Sequence, residues 1–301
     1  MTITVFIDGE AGTTGLQIHE RLRDRDDISV LQLGDRRKDP QARCDALNTA
    51  DVAILCLPDD AALEAVAMIE GDTRVIDAST AHRIADGWTY GMPELTAGQP
   101  DLIAKAKNVA NVGCYATGSI ALLRPLTERG VIGADTPLSI NAVSGYTGGG
   151  KALIAEMTEE NAPNFFLYAM TQGHKHLPEI MAYGGLSTAP VFQPSVGRFA
   201  QGMIVSLPLH ASQLTGGLEA VAEAYREHYA NTPFVTFDEG NVDRLDPEMH
   251  NDTNQMSLHL RSNADGSRMV AFAVLDNLGK GASGSAVQNL DLMIGATLPS
   301  L

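Results

Sequence analysis

The sequence has few cysteines, and their spacing excludes the common cysteine-based architectures. The three cysteines are Cys44, Cys56 and Cys114, and no two of them form a Cys-x-x-Cys pair, so the usual pattern of a structural zinc site is missing. An odd number of cysteines without a recognisable secretion signal is typical of a reducing compartment. Each cysteine is therefore expected to be either a small buried apolar residue or a reactive thiol.

Long apolar runs are also missing. No run approaches the ~20 residues that a membrane-spanning helix needs, and the N-terminal segment has neither the basic region nor the cleavage site of a signal peptide. We therefore expect a cytoplasmic protein with no membrane partner. The composition, 44% apolar and 19% charged over 301 residues, is that of a globular protein and predicts about two domains.

Positive charge is the third shortage. The 21 Lys and Arg residues face 37 Asp and Glu residues, which gives a net charge of −16. Such an acidic balance argues against binding of nucleic acid or of an anionic membrane. A small anionic substrate remains compatible with it, because a single site can be basic inside an acidic protein. Local clusters of cations are therefore informative in this sequence.

Short apolar runs alternate with helical patterns over the first 112 residues. The predicted strands are residues 3–7, 29–33, 52–57 and 74–76, and the predicted helices are residues 14–25 and 59–69, the latter capped by Asp59 or Asp60. This alternation predicts βαβ units and a parallel sheet that is buried on both faces. We therefore expect an α/β fold for the first domain.

The pattern changes after about residue 115. Longer predicted strands, separated by glycine clusters and polar loops, cover residues 138–143, 202–208, 257–260 and 269–274. They indicate a second domain of the α+β class. A last helical pattern over residues 284–298 is apolar enough to pack back on the first domain. We accordingly place the first domain at residues 1–113, completed by a C-terminal helix within residues 284–301, and the second at residues 114–283.

A glycine-rich turn follows the first predicted strand and precedes the first predicted helix. Its sequence, Gly9-Glu10-Ala11-Gly12-Thr13-Thr14-Gly15, has the spacing Gly-x-x-Gly-x-x-Gly. Glycines let the backbone approach a pyrophosphate, and the helix N-terminus offers N–H groups and a positive dipole end. An ordinary glycine-rich turn is the alternative, but the βαβ context favours a dinucleotide site.

A cluster of charges follows the second predicted strand, where Asp35 precedes Arg36, Arg37 and Lys38. An acidic residue here binds the ribose hydroxyls of NAD, whereas arginine accommodates the 2′-phosphate of NADP. Three consecutive cations would be redundant for NAD, so they favour NADP(H). The alternative is a solvated loop.

Cys114 lies where the pattern changes, between an apolar run that ends at Val112 and a helical pattern over residues 119–126. This places it at or near a helix N-terminus, where the helix dipole stabilises a thiolate. A thiolate attacks acyl carbon atoms, which makes Cys114 the candidate nucleophile. The alternative, a small buried cysteine, fits Cys56 better, because Cys56 lies inside a predicted strand.

A polar cluster, His174-Lys175-His176-Leu177-Pro178-Glu179, is the candidate source of a general base. Pro178 predicts a loop or a helix start, and on a first turn His176 and Glu179 would face each other. A carboxylate that orients an imidazole raises its basicity and fixes its tautomer. His176 is thus the predicted base and Glu179 its orienting partner, although the sequence barely distinguishes His174 from His176. A zinc site is a weaker alternative, since no further ligand spacing supports it.

Two further segments are candidates for binding anions. Residues 144–151 combine four glycines with Lys151, and can offer backbone N–H groups and an ammonium to phosphate. Ala152 follows Lys151, so the segment is not a Walker P-loop. Residues 195–198, expected in a loop after Pro194, end in Arg198, which would pair with a carboxylate.

Together these segments resemble the N-acetyl-γ-glutamyl-phosphate reductases, and in length the shorter form of that family. The resemblance rests on residues 9–15, 111–117, 144–151 and 174–180, and it extends to residues 75–80, 163–165, 196–199, 251–254 and 276–282. It implies a Rossmann-type NADP-binding domain, a second domain like that of aspartate-semialdehyde dehydrogenase, and a C-terminal helix that returns to the first domain. It also implies a role in arginine biosynthesis and a homo-oligomer, either a dimer or a tetramer.

The motifs and the resemblance together assign roles to individual residues. The expected catalytic residues are Cys114, His176 and Glu179. The residues expected to bind NADP(H) are Gly9, Ala11, Gly12, Thr13, Thr14, Gly15, Arg36, Ser79 and Asn277. The residues expected to bind the anionic small-molecule substrate are Asn111, Ser144, Gly145, His174 and Arg198. No metal is expected. The family usually has proline where this chain has Val112, a departure that affects the loop before the nucleophile but not the nucleophile itself.

The expected reaction is reduction of N-acetyl-L-glutamyl 5-phosphate by NADPH, through a thioester on Cys114. A related reductase for aspartyl or aminoadipyl phosphate is the first alternative, because nothing in the sequence fixes the acyl specificity. A non-catalytic NADP-binding regulator is the second alternative, against which the complete set of Cys114, His176 and Glu179 argues.

Overall fold

The computed structural model of the chain describes residues 2–296, apart from the side chains of Arg37 and Lys38. The described residues form two compact units. The first lies within Met1–Pro93, Gly98–Val112 and Ala282–Leu301, and the second consists of Glu94–Ala97 and Gly113–Gly281. Each unit is built on its own β-sheet.

The first unit contains a six-stranded sheet in the order β2-β1-β3-β4-β6-β5, in which all pairs are parallel. Its strands are β1 (Ile3–Asp8), β2 (Ile28–Leu31), β3 (Val52–Leu55), β4 (Arg74–Asp77), β5 (Thr89–Gly91) and β6 (Asn108–Asn111). Its helices are α1 (Thr13–Leu22), α2 (Pro40–Thr49), α3 (Asp59–Ala67), α4 (Gln99–Lys105) and, from the C-terminal region, α9 (Gly284–Ile294).

Apolar residues cover both faces of this sheet. Val5 and Ile7 of β1 pack on one face with residues of α1 and α9, whereas Phe6 packs on the other face with Leu47 of α2. All four residues of β3 are buried, as expected for a parallel strand between two layers of helices. α9 packs against α1 and α4, so the last described helix completes the core of the first unit.

The carboxyl edge of this sheet has the form of a ligand-binding crevice. β2 lies on one side of β1, and β3 and the later strands lie on the other, so the strand order reverses between β1 and β3. In open α/β sheets ligands bind at this switch point, beyond the carboxyl ends of the strands. The turn containing Gly9 leaves β1 at this point.

The second unit contains a seven-stranded mixed sheet in the order β11-β12-β13-β10-β7-β9-β8. Its strands are β7 (Ser139–Gly145), β8 (Phe165–Leu167), β9 (Val191–Gly197), β10 (Met203–His210), β11 (Val235–Asp238), β12 (Met256–Ser262) and β13 (Arg268–Leu275). Its helices are α5 (Cys114–Glu128), α6 (Gly150–Met157), α7 (Leu177–Gly184) and α8 (Gly217–His228).

Helix α5 is the central helix of the second unit. It packs on β10 and β13 and against α7 and α8, and most of its residues are buried. Gly118 permits the close approach to the sheet, because a Cβ at this position would lie 2.7 Å from a side-chain carbon of Val205. This packing fixes the N-terminus of α5, where Cys114 lies.

The opposite face of the same sheet is only half covered in the single chain. Alternate residues of β7, β10 and β13, including Val143, Ile204 and Phe272, are half-buried on this side. With the exposed side chains of Phe165 and Leu167 they line a groove of about 640 Å³. This face is therefore apolar and accessible.

The predicted fold class is confirmed, and so are most of the predicted elements. The first unit has the parallel α/β architecture, and the second combines helices with a mixed sheet. The four strand patterns after residue 115 correspond to β7, β10, β12 and β13. Cys114 is the first residue of α5, in agreement with its predicted place at a helix N-terminus.

Three local predictions are wrong. Cys56 follows β3, which ends at Leu55, instead of lying inside a strand. The N-cap of α3 is Pro58, and the Asp59 carboxylate instead accepts the N–H and the hydroxyl of Thr80, at 2.9 and 2.5 Å. Residues 195–197 lie in β9 and not in a loop. Proline at position 194 is tolerated because β8 pairs only with residues 195–197, so its missing N–H removes no bond of that ladder.

Two predicted helices are too long. α1 ends at Leu22, where the pattern predicted a helix to Arg25. α9 ends at Ile294 because Gly295 adopts a left-handed conformation with φ of 68°, a common helix terminator. The end of the prediction, residues 297 and 298, lies outside the described residues. Within residues 2–296, no helix combines the length and the apolar character needed to span a membrane.

Candidate active site

The glycine turn after β1 fits closely against the end of β3. Gly9 has a φ of +90°, and a Cβ there would lie 2.3 Å from the Cys56 carbonyl oxygen. A Cβ on Gly15 would lie 2.5 Å from the Gly9 carbonyl oxygen. Gly12 is the N-cap of α1, and its N–H donates to that same carbonyl at 2.9 Å. A backbone that only glycine permits, beside a helix N-terminus, forms a cradle for phosphate.

The other predicted cofactor residues of the first unit lie at or near the carboxyl edge of its sheet. Ala11 is exposed in the glycine turn, and Thr13 and Thr14 form the half-buried start of α1. Ser79 follows β4, and its hydroxyl donates to Asp77 Oδ2 at 2.6 Å. The structure therefore brings these residues together on the side of the sheet where a dinucleotide binds in α/β folds.

The basic cluster after β2 forms a short 3₁₀ helix, Gly34–Lys38. The side chain of Arg36 is exposed, and none of the described carboxylates forms an ion pair with it. The side chains of Arg37 and Lys38, the other two cations of the prediction, lie outside the described residues. Arg36 is thus available to an anion in solution.

Two carboxylates at this edge have partners within the first unit that the sequence does not reveal. Asp8, the last residue of β1, accepts from Arg43 Nε at 2.7 Å. Asp77 Oδ2 lies 2.6 Å from Nδ1 of His82, whose ring stacks on Trp88 at 4.0 Å between centroids. The guanidinium of Arg43 reduces the repulsion that a free Asp8 carboxylate would exert on a bound pyrophosphate.

Cys114 lies in the setting of a reactive thiol. It is half-buried and begins α5, with Gly113 as N-cap. Glu179, in the first turn of α7, is 1% exposed, and its Oε2 accepts the N–H of Gly113 at 3.4 Å. The carboxylate thus holds the residue before Cys114, while the positive end of α5 favours a thiolate at this position.

A second element touches Cys114, through a glycine of the same unit. The segment Gly279–Ser283 forms a turn of π-helix, a rare conformation that is frequent at functional sites. A Cβ on Gly281 would lie 2.8 Å from Cys114 Cβ, which is closer than side chains approach. Only glycine at this position leaves the Cys114 side chain in its observed place.

The two histidines of the polar cluster have distinct environments. His174 Nδ1 accepts the N–H of His176 at 3.1 Å, and His174 Nε2 lies 3.1 Å from the Tyr168 hydroxyl. Because Nδ1 is an acceptor, neutral His174 carries its proton on Nε2 and donates it to Tyr168. His176 is the N-cap of α7 and is buried, so the helix start that Pro178 predicts is confirmed.

Aromatic rings surround these histidines. Tyr115, Tyr168 and Phe192 all contact the ring of His174, with centroids 5.1 to 5.6 Å apart. Burial raises the pKa of Tyr168 to about 12 and raises that of Tyr115 above its ordinary value. Both phenols therefore stay protonated near neutral pH, and His174 lies among aromatic rings.

Ser144 and Asn277, predicted to bind different ligands, lie together in the second unit. Asn277 Oδ1 accepts the N–H of Gly202 at 2.7 Å, and its Nδ2 donates to the Thr147 hydroxyl at 3.2 Å. A Cβ on Gly148 would lie 3.3 Å from both Asn277 Nδ2 and Ser144 Oγ. Asn277 therefore holds the turn that follows β7.

The three remaining predicted substrate residues bond to the protein itself. The Gly145 N–H donates to the Gly202 carbonyl at 2.8 Å. Arg198 is exposed, and its guanidinium donates to the backbone carbonyls of Glu159 and Ala162. Asn111 is fully buried in the first unit, where its amide bonds to the Ala282 carbonyl and to Asn289. These bonds give each residue a structural role. The contact of Gly145, Arg198 and Asn111 with substrate stays a prediction.

The other two cysteines, Cys56 and Cys44, lie in surroundings that differ from those of Cys114. Burial, with a contribution from Asp77 and Asp8, raises the pKa of Cys56 to about 12. The Cys44 thiol points to the Met68 carbonyl, 4.0 Å away. In the described part of the chain, no group of three or more His, Cys, Asp and Glu side chains is placed to hold a metal ion.

Comparison with known proteins agrees with this geometry. Residues 38–103 match the family model of the semialdehyde dehydrogenase NAD binding domain, and residues 114–277 match that of the semialdehyde dehydrogenase dimerisation domain. A solved structure of aspartate semialdehyde dehydrogenase II from Vibrio cholerae has the same fold, with a TM-score of 0.75 at 15% identity over 99% of this chain and 100% of that one.

Curated relatives are much closer in sequence. The chain is 51% identical to an N-acetyl-gamma-glutamyl-phosphate reductase of Chelativorans sp., over 98% of this chain and 99% of that protein. It is 50% identical to the protein of the same name from Brucella suis, over 97% and 98% of the two chains. The chain therefore belongs to the semialdehyde dehydrogenase family and, within it, to the N-acetyl-γ-glutamyl-phosphate reductases.

Proposed function

We propose that this chain reduces N-acetyl-L-glutamyl 5-phosphate with NADPH to N-acetyl-L-glutamate 5-semialdehyde and phosphate, a step of arginine biosynthesis, in the cytoplasm. The observation that carries the proposal is the position of Cys114 at the start of α5, with the Glu179 carboxylate on the N–H of Gly113. Relatives that share half of the sequence over nearly the whole chain carry the name of this reductase.

The first unit fits an NADP cofactor. Gly9, Gly12 and Gly15 would bring backbone N–H groups to the pyrophosphate at the N-terminus of α1. The exposed guanidinium of Arg36 would pair with the 2′-phosphate. NADPH, when bound, supplies the hydride that reduces the acyl carbon. In this assignment residues 1–113 form the cofactor-binding domain, which the helix within residues 284–301 completes, and residues 114–283 provide catalysis, substrate binding and assembly.

Cys114 performs the covalent chemistry. Its thiolate attacks the acyl carbon, a C–S bond forms, and the bond from that carbon to the phosphate oxygen breaks. The N-terminal N–H groups of α5 stabilise the negative charge that develops on the acyl oxygen. After the acyl carbon has received a hydride, the C–S bond breaks, which releases the aldehyde and regenerates the thiolate.

His176 is the better candidate for the base. His174 uses Nδ1 to accept a backbone N–H and Nε2 to donate to Tyr168, so it cannot accept a further proton without losing the bond at Nδ1. His176 takes the proton of the Cys114 thiol and passes it to the departing phosphate. One proton from solvent restores the starting state in each turnover. Glu179 holds the backbone at Gly113, in addition to its predicted role of orienting His176.

The second unit supports a homodimer. The matched family model for residues 114–277 describes a dimerisation domain, and the open face of the sheet is apolar around Val143, Ile204 and Phe272. Exposed apolar patches of this kind mark interfaces. A second copy of the chain would cover this face. Sedimentation of Ile204→Asp, compared with the wild type, tests the assignment, because a charge in the centre of the interface should yield monomers.

The reverse reaction tests the function. Purified protein is supplied with NADP⁺, phosphate and either N-acetylglutamate semialdehyde or aspartate semialdehyde, and NADPH formation is followed. We expect phosphate-dependent turnover with the N-acetylated substrate, and its loss in Cys114→Ser with NADPH binding retained. Faster turnover of aspartate semialdehyde would favour the aspartyl phosphate alternative. Substantial activity in Cys114→Ser would refute the covalent mechanism.

A further inference from the structure

A buried ion pair lies in the second unit, outside the groups that the mechanism uses. Lys280 Nζ donates to both carboxylate oxygens of Glu94, at 2.8 and 2.9 Å. Lys280 is 0% and Glu94 4% exposed. Further contacts fix both residues, since His228 Nε2 lies 2.9 Å from the Glu94 carbonyl, and the ring centroid of Phe234 lies 5.6 Å from Lys280 Nζ.

Burial of such a pair has a free-energy cost that apolar residues of similar size would avoid. Removing two charges from water often costs as much as their attraction returns, so stability alone is a weak reason for its presence. An ion pair does provide direction, because short charge-assisted bonds fix the relative position of their partners. The relevant question is therefore what this pair holds in place.

The pair holds the turn that contacts the nucleophile. Lys280 lies within the π-helical segment Gly279–Ser283, and the next residue, Gly281, approaches Cys114 so closely that a Cβ would lie 2.8 Å from Cys114 Cβ. The Gly281 N–H also donates to the Asp276 carbonyl at 2.9 Å. Any movement of Lys280 is transmitted over one peptide bond to the atoms beside the thiol.

We propose that Glu94 and Lys280 are positioning residues for Cys114, and that their ion pair fixes Gly281 against the nucleophile and so sets the position of its sulfur. The proposal rests on the proposed function only in taking Cys114 as the nucleophile. Each residue acts on the thiol through the backbone at Gly281.

Glu94→Gln is the sharpest single perturbation, because it removes the charge and preserves the shape. Burial lowers the pKa of Lys280, and Glu94 opposes that shift, so the variant removes the charge that offsets the burial and weakens the hold on the turn. We expect kcat to fall by roughly 10- to 100-fold with little change in KM, since a misplacement of about 1 Å costs about 100-fold. The pH profile of Cys114 alkylation by iodoacetamide should change as well, and this readout requires no turnover.

Asp291→Asn is the matched control. It breaks another ion pair with a buried carboxylate, Arg25 to Asp291 at 2.8 Å, which lies in the first unit. Both variants should lower the thermal unfolding midpoint, but only Glu94→Gln should alter Cys114 alkylation and kcat. A Glu94→Gln protein that is merely less stable, with wild-type alkylation and kcat, overturns the proposal. Absence of reductase activity in the wild type would instead count against the proposed function.

Two further variants make the result decisive. Glu94→Leu/Lys280→Met removes both charges without leaving either unpaired in the interior, and it serves where Glu94→Gln does not fold. It should also show altered alkylation, and failure of this variant to fold would assign the pair to folding and defeat the positioning role. Gly281→Ala should perturb the same readout, and its effect should not add to that of Glu94→Gln, because both act on one contact. Additive effects would contradict the path through Gly281.

Discussion

The glycine turn of the first unit permits a prediction in which two physical effects are separated. Gly9→Ala combines a left-handed backbone, with φ of +90°, and a Cβ placed 2.3 Å from a backbone carbonyl. Strain at such a φ costs about 1–3 kcal/mol, and overpacking against atoms that cannot rotate away costs about 1–3 kcal/mol more. We therefore expect a loss of about 2–6 kcal/mol of unfolding free energy, a large part of the ~5–15 kcal/mol of a typical domain.

Substitutions at two other glycines measure the backbone strain and the overpacking separately. Gly87 has a φ of +80° with nothing within 4 Å of an added Cβ, so Gly87→Ala should show the backbone strain alone. At Gly15, inside α1, no left-handed φ occurs, but a Cβ would lie 2.5 Å from the Gly9 carbonyl oxygen. Gly15→Ala should therefore show the overpacking, reduced by the ~1 kcal/mol that alanine gains over glycine inside a helix. With that gain added back, the loss in Gly9→Ala should approach the sum of the other two.

The assay uses a convenient property of the chain. Its single tryptophan, Trp88, lies in the first unit and stacks on His82, so its fluorescence in urea reports on the unit that contains all three glycines. NADPH binding, measured by the fluorescence of the nicotinamide, should weaken in Gly9→Ala and Gly15→Ala and remain unchanged in Gly87→Ala. Equal stability losses in Gly9→Ala and Gly87→Ala would refute the contact with the Cys56 carbonyl.

Three further predictions concern the base, the cofactor and the response to pH. His176→Asn should lower kcat by roughly 10²–10⁴-fold and flatten the pH–rate profile, and a larger loss in His174→Asn would reverse the assignment of the base. Arg36→Ala should raise the KM for NADPH far more than that for NADH, and equal changes would exclude a contact with the 2′-phosphate. Burial lowers the pKa of His250 and His259, so both histidines bind a proton more readily in the unfolded chain. The stability of the folded protein that depends on these neutral histidines is complete above the unfolded pKa of about 6.5. It is lost as the pH falls below that value. The slope is at most about 1.4 kcal/mol per pH unit for each histidine. Thermal unfolding of His259→Phe between pH 7.5 and 5.5 should therefore depend less on pH than that of the wild type, and an unchanged dependence would show that this histidine does not contribute.

The features that the sequence predicts well are those determined over short distances along the chain. A strand, a glycine turn and a helix follow one another at Gly9 to Gly15, and a helix start at Cys114 depends on its immediate neighbours. The same local reasoning could have found α2, because Asp39 and Pro40 form a typical helix start, and the Asp39 side chain does accept the N–H of Gln41. Its apolar residues show little helical periodicity, which is why the pattern was not apparent.

Contacts between distant residues could not be predicted in this way. Asp8 and Arg43 are 35 positions apart, Asn111 and Asn289 are 178 apart, and Glu94 and Lys280 are 186 apart. Whether any such pair meets depends on the strand order and on the packing of helices, which no periodicity encodes. A charged residue is expected at the protein surface. The complete burial of Lys280 is therefore the opposite of what its residue type predicts.

The sequence predicts the histidine segment of the site, but it does not predict which of the two histidines acts as the base. At positions 174 and 176 they share a residue type and a neighbourhood, and the sequence contains no difference that assigns the base to one of them. The distinction comes from a backbone atom, because the N–H of His176 occupies Nδ1 of His174. That bond exists only because the chain turns between the two residues before α7 begins at Leu177. In the proposed mechanism, the roles of the two histidines therefore depend on main-chain geometry, which also places Gly281 beside Cys114, and not on the identity of the reactive side chains alone.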